Sequence, residues 1–455
     1  MHSPIFLKSW RKKLRSCFPR LINLFLCFAL LSCSSAPELP TDTSTSDTSG
    51  LASTNTFSEE APITILGPES GPESDSLLAA LEKFSEKRGV EVKYEASRFA
   101  TSDLDLKVSS GEPPDLAVVA QPGRIKDFAA EGFISPLPTK VAKDATVAFD
   151  QNLLDLARYE GDLYAVPTKI DLKNVIWYSP NAFTKAGYQV PTTMEELTSL
   201  TKKIRQSGKT PWCIGMADGD ATGWIFTDWV EQMMLSIHGP TVYDQWVNHE
   251  IAFNSPEVEE AVRSVAQIWF TKGNVKGGRS QIAKIGYERA GFGVLDQSCF
   301  LHRQLGSYSV NYVSEKATLG PAGTISAFVF PSFADGPNNF ALTAGNFAVA
   351  FSGRPVVTEL LAFLGSAEFA NTRIQASSGG YLSPHRDQTI ELYKSSVDQT
   401  LVQALLNSDY VRFDGSDVMP PRIGVGLFWS EGVKYVNADI DSETFLTRIE
   451  QNYPR

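Results

Sequence analysis

Pro113-Pro-Asp-Leu-Ala-Val-Val-Ala120 is a turn followed by five consecutive apolar residues. A strand with one wet face alternates apolar and polar positions. An unbroken apolar run is buried on both faces, as in a parallel sheet covered by helices. Upstream, Gly89-Val-Glu-Val-Lys-Tyr94 alternates like a strand, and 99–108 follows with helical periodicity. Further back, Ile63-Thr-Ile-Leu66 is a short apolar strand. Gly67-Pro-Glu-Ser-Gly-Pro-Glu-Ser-Asp-Ser76 then leads into a helix beginning at Leu77. Its Leu77, Leu78, Leu81 and Phe84 share one face, and Ser74 to Ser76 offer N-caps. Strands alternating with helices imply βαβ units and an α/β fold.

Downstream, Tyr164-Ala-Val-Pro167 and Asn174-Val-Ile-Trp-Tyr178 are strand-like. Pro191-Thr-Thr-Met-Glu-Glu196 opens a helix with Thr192 or Thr193 as cap and acids in its first turn. Residues 223–238 and 256–271 read as long helices, 346–351 as a strand and 354–364 as a helix. From Gln388 the pattern is mostly helical, interrupted at Met419-Pro-Pro421. No repeat or charge block interrupts this part.

The N-terminus is different in kind. Lys8, Arg11, Lys12, Lys13, Arg15 and Arg20 precede the apolar run Leu21-Ile-Asn-Leu-Phe-Leu-Cys-Phe-Ala-Leu-Leu31. That run is short for a membrane-spanning helix but suits the core of an export signal. It ends at Leu30-Leu31-Ser32-Cys33, which resembles a bacterial lipobox, so Cys33 is expected to carry lipid and to anchor the mature chain. Residues 34–60 contain 13 Ser or Thr and no Lys or Arg, the composition of a disordered tether. An ordinary cleaved signal with an incidental cysteine is the alternative.

About 395 of the 455 residues remain after signal and tether, more than the roughly 250–300 that one core serves, so two lobes are expected. Six of the 41 basic residues and none of the 52 acidic ones precede Cys33, so the mature part carries −17. That charge argues against nucleic acid as a partner. Once Cys17 and Cys27 leave with the signal and Cys33 is lipidated, only Cys213 and Cys299 remain. An oxidising exterior favours a disulfide between them, two separate buried thiols being the alternative.

Several phrases resemble the extracellular solute-binding proteins of carbohydrate ABC transporters, the family that includes maltose-binding protein. They are Gly111-Glu-Pro-Pro-Asp115, Gln121-Pro-Gly123, Trp177-Tyr-Ser-Pro180 and Val190-Pro-Thr-Thr-Met-Glu-Glu-Leu197. Gly208-Lys-Thr-Pro-Trp-Cys-Ile-Gly215, Ala221-Thr-Gly-Trp224 with Thr227-Asp-Trp229, and Cys299-Phe-Leu-His-Arg303 resemble the branch that binds α-glucosides. Gly379-Gly-Tyr-Leu-Ser-Pro384, Met419-Pro-Pro421 and Phe428-Trp429 carry the likeness almost to the end. The resemblance implies a two-lobe periplasmic-binding-protein fold (type II) with hinge crossings and a ligand cleft between lobes. Lobe 1 would hold 61–170 and 328–380, and lobe 2 would hold 171–327 and 381–455. It also implies pairing of Cys213 with Cys299.

A sugar needs aromatic faces for its C–H surface and planar polar groups for its hydroxyls, because buried unpaired hydroxyls are costly. Trp224 and Asp228, four apart, supply both kinds, with Trp229 beside them as a candidate divided between site and core. Trp429 follows the Pro420-Pro421 break where maltose-binding relatives carry a stacking aromatic. Arg422, Gln121 past an apolar strand, Asp171 near the first crossing, Arg98, Gly380 and Tyr381 complete the candidate set. The bland readings are core tryptophans, solvated charges and a loop glutamine.

No Walker lysine loop, H-E-x-x-H, G-x-S-x-G or C-x-x-C occurs, and the five histidines are scattered. Neither metal nor cofactor is expected, and no catalytic residue is assigned. The expected function is a monomeric substrate-binding lipoprotein at the outer face of the cytoplasmic membrane. It would deliver an α-glucoside or disaccharide-sized sugar (sucrose, trehalose, maltose or glucosylglycerol type) to an ABC permease. An exported glycoside hydrolase is the alternative.

Overall fold

The computed structural model describes residues 61–334, 336 and 339–454. Cys33 and the tether lie outside the described residues. Strands β1 (Ile63–Gly67), β2 (Val92–Ala96) and β3 (Leu116–Val119) are parallel, with β1 between the other two. Helices α1 (Asp75–Arg88) and α2 (Ala100–Ser109) make the crossovers. All four residues of β3 are buried, as its unbroken apolar run requires.

Two long strands run through the middle of the molecule. They are β4 (Ala165–Leu172) and, later in the chain, β8 (Phe340–Ala350), which pair antiparallel along most of their length. Between them in sequence, β5 (Val175–Tyr178), β6 (Leu301–Gln304) and β7 (Ser326–Val329) form a separate antiparallel sheet in the order β6-β5-β7. The β8 strand also pairs antiparallel with β3 and parallel with β9 (Tyr410–Phe413). That short strand was hidden inside a segment whose periodicity reads as helical.

The second half of the fold is built on helices α3 (Met194–Gln206), α4 (Trp224–Val247) and α5 (Pro256–Trp269). Thr193 caps α3 by accepting from the Glu196 amide, and the Thr192 amide and hydroxyl donate to the Glu196 carboxylate. The α4 helix outruns its expected end at residue 238, because the chain kinks at Gly239-Pro240 and resumes.

Among the described residues, three buried clusters result. One packs 63–166 with Phe347, Leu360, Phe369 and others. A second is built on α3, α4 and α5 with Phe330, Phe340, Phe428 and Phe445. A third lies beneath the crossing strands, around Ile170, Trp177, Tyr308, Tyr381 and Leu401. Residues 328–380, expected in the first lobe, divide their packing between two cores. Phe330, Phe340 and Leu342 pack into the second core, while Phe347 and Val349 pack into the first. One eleven-residue strand is long enough to serve both. Among the described residues no helix is long and apolar enough to cross a membrane.

Candidate functional site

A cleft of about 390 Å³ opens beside the C-terminal ends of β1, β2 and β3, where open α/β sheets present ligand-contacting groups. Glu69 and Glu73 enter from the turn after β1, Arg98 from the turn after β2 and Gln121 from the turn after β3. The crossing strand supplies Lys169, Asp171 and then Lys173, three charged residues alternating with Ile170 and Leu172. Period-two alternation puts all three on one face. Asn346 of β8 enters from the same layer.

The opposite wall is aromatic. Trp224 begins α4, and Trp429 follows a wide-turned π-helix, Arg422–Phe428. Gly223 brings them together. Its φ is 133°, and a Cβ there would stand 2.6 Å from the Trp429 α-carbon. Only glycine tolerates both that backbone and that approach. The Trp224 indole N–H donates to Asp218 at 2.9 Å, and its ring meets Tyr287 edge-on at 5.2 Å between centroids. The Trp429 indole N–H is buried without a hydrogen-bond partner.

The floor is a buried network of ionic groups. Lys173 donates to Asp228 at 2.7 Å and to Asp414. The Arg303 guanidinium donates to the Asp228 carboxylate at 3.4 Å and to its backbone carbonyl at 3.0 Å. Burial, together with Asp414 beside it, raises Asp228 to about 6 despite Lys173 and Arg303. Burial opposes ionisation of Asp414, but Lys173 and bonds from Ser416 and the Asp417 amide hold it below the usual range. Burial and the Asp414 charge push Glu231 and Asp417 well up. Lys173 thus bridges Asp228 and Asp414, and Arg303 adds a second cation at Asp228. Asp228, Glu231 and Asp414 are close enough to hold a metal ion, but the Lys173 ammonium already bonds two of the three.

A second buried pair braces the β1 turn. Arg373 grips both Glu69 oxygens from behind, and Asn346 adds a bond at 3.1 Å. Burial works against the Glu69 charge, yet Arg373 and Lys169 hold its pKa down. Lys169 bonds Glu73 at 2.5 Å, and its charge is reinforced by Glu73 and Asp171. Burial raises Asp171, which accepts from the Ser307 amide at 3.0 Å.

Of the candidates read from sequence, Trp224, Trp429, Gln121, Asp171 and Arg98 come together in the cleft lining. Asp228 lies one layer beneath, 1% exposed. Trp229 is equally buried, packed edge-on against Trp212, Trp269 and Phe330. Arg422 is exposed outside the lining and donates to Asn452 at 3.2 Å. Gly380 and Tyr381 lie behind the crossing strand. The Gly380 amide donates to Asp398, and the Tyr381 hydroxyl donates to the Thr168 carbonyl at 3.1 Å. Sequence reasoning overlooked Lys169, Lys173, Asp218 and Tyr287. The alternation Lys169-Ile-Asp-Leu-Lys173 was the available signal for the first two.

Cys213 and Cys299 form a disulfide with their α-carbons 5.5 Å apart.

Comparison with known proteins places this geometry in context. A family model described as bacterial extracellular solute-binding protein matches residues 69–290. An osmoprotective compounds-binding protein of Synechocystis is 35% identical over 396 residues, covering 86% of this chain and 92% of that one. An alpha-glucosides-binding periplasmic protein of Rhizobium meliloti is 35% identical over 387 residues, covering 82% and 83%. Among solved structures, a bacterial solute receptor described as preferring β-D-galactopyranose superposes with TM-score 0.75 at 16% identity, covering 86% of this chain and 98% of that one. A maltose-bound Thermotoga maritima protein gives 0.67 at 16% identity, with 86% and 98% covered.

Proposed function

We propose that this chain, which belongs to the bacterial extracellular solute-binding protein family, captures an α-glucoside or disaccharide-sized sugar and delivers it unchanged to an ABC permease. The observation that carries the reading is the pairing of Trp224 and Trp429 across Gly223, facing Gln121, Lys169, Asp171 and Arg98. Indole faces stack on the apolar side of a pyranose, while amide, carboxylate and cationic groups take its hydroxyls. At about 390 Å³ the cleft is at the small end of the roughly 300–1,000 Å³ usual for ligand sites. Sucrose, trehalose, maltose and glucosylglycerol are the candidates, in keeping with the names of the two relatives 35% identical to this chain. Export, attachment through lipid on Cys33 and a monomeric state complete the proposal. They rest on the basic and apolar N-terminal pattern before that cysteine and on the family.

Isothermal titration of the purified protein with those four sugars tests it. Saturable binding of at least one, with no monosaccharide released on prolonged incubation, is expected. Silence across the panel removes the ligand assignment, and turnover replaces it with glycoside hydrolysis.

A further inference from the structure

Arg98 does something in this structure besides line the cleft. It stands on the turn between β2 and α2, whose Leu104 and Val108 belong to the first core. Its guanidinium crosses to three residues on the other wall. It donates to the Tyr287 hydroxyl at 2.8 Å and pairs with Asp218 at 3.3 Å and Glu288 at 2.6 Å. Next to it, the Phe99 ring lies against Gly219, where a Cβ would come within 2.6 Å of the ring edge. The turn itself is braced. The Ser97 amide donates to the Gly67 carbonyl at 2.9 Å, and the Ser97 hydroxyl accepts from the Phe99 amide while donating to Asp103. Asp218 relays the contact onward, because its other oxygen accepts the Trp224 indole N–H.

We propose that Arg98, with Phe99, is a clasp that joins the two walls of the cleft and holds the closed form without any ligand bridging them. The inference rests on the reading of this cleft as a ligand site. Every group in the clasp belongs to the protein, so its contacts do not require sugar in order to form. Arg98 is a positioning residue: it fixes Asp218, and Asp218 fixes the Trp224 ring. Its ion pairs are partly exposed, with side chains 34%, 18% and 52% accessible for Arg98, Asp218 and Glu288. Pairs of that kind are weak enough to open and close reversibly. A clasp shared by both walls therefore acts mainly on escape of a bound ligand, and less on its entry.

The test uses the full-length protein with spin labels on cysteines replacing the exposed Lys140 and Glu443, one on each wall's core, and reads their separation by pulsed dipolar spectroscopy. Without sugar, the unaltered clasp should show a short-distance population, and Arg98→Ala should shift the ratio toward long distances by about two- to ten-fold. Tyr287→Phe, which removes one acceptor and keeps the ring against Trp224, should shift it less in the same direction. With whichever panel sugar binds, Arg98→Ala should raise the dissociation rate more than it lowers the association rate. Identical sugar-free distance distributions for Arg98→Ala and its parent overturn the clasp, as does a parent that shows only the long distance. A protein that binds no panel sugar defeats the functional reading while leaving the sugar-free distances readable.

Discussion

The Lys173 ammonium lies 2.7 Å from the Asp228 carboxylate, with both groups buried. The contact ties the end of the crossing strand to the N-terminal part of α4, and the same ammonium stands 5.2 Å from the centre of the Trp224 ring. One ion pair thus links the segment expected to bend with the aromatic wall expected to stack.

Asp228→Asn leaves Lys173 and Arg303 sharing one fewer charge in a buried site. Removing one partner of such a pair costs about 3–5 kcal/mol, so a marked loss of stability is expected together with weaker ligand binding. Urea denaturation with sugar titration reads both. Weakened binding at unchanged stability would mean that Asp228 meets the ligand directly.

Trp224→Ala and Trp429→Ala each remove an aromatic platform. Central aromatic anchors are typically worth 2 kcal/mol or more, so each change should weaken binding by at least about 30-fold. Trp229→Ala, by contrast, should show first as a loss of stability, since that ring is 1% exposed within the second core. Calorimetry and thermal melts of the three variants distinguish site from core.

Gly223→Ala places a methyl group 2.6 Å from the Trp429 α-carbon, well inside contact distance. The two tryptophan segments must then separate, and sugar affinity should fall by about tenfold or more, given how sharply contacts decline with displacement. An alanine variant with native affinity would show that the spacing of the indoles does not matter.

Reducing the Cys213–Cys299 bridge, with its sequence separation of 86, should lower stability by about 2–4 kcal/mol. Intact mass before and after reductant, paired with a denaturation curve, measures it.

His302 sits beside that bridge, with Nδ1 2.8 Å from the Cys213 carbonyl oxygen and Nε2 buried without a partner. Burial lowers its pKa to about 4, with the nearby Arg303 charge acting the same way and the Cys213 carbonyl opposing. The folded pKa is thus below the unfolded one. The resulting stability is present above about pH 6.5 and is lost as pH falls through about 4, amounting to roughly 3 kcal/mol from this group. His302→Gln should flatten that limb of the stability–pH curve, and an unchanged slope would assign it to other groups.

The sequence alone pointed to the order of strands and helices in the first lobe, the α/β class, a disulfide between the two remaining cysteines and the two tryptophans that line the cleft. Each of these depends on local pattern, on how few partners exist, or on phrases that keep their spacing. Apolar periodicity reports which face of an element is buried, and β3 shows it cleanly because every residue is apolar. What only the tertiary structure decided was the destination of the charges. Asp228 reads in sequence as a ligand-contacting acid, yet it ends beneath the cleft, where Lys173 and Arg303 converge on it. Lys173 and its other acceptor, Asp414, are 241 residues apart in the chain. A carboxylate's pattern does not encode which distant cation will make its burial tolerable; that depends on which elements the two cores bring into contact.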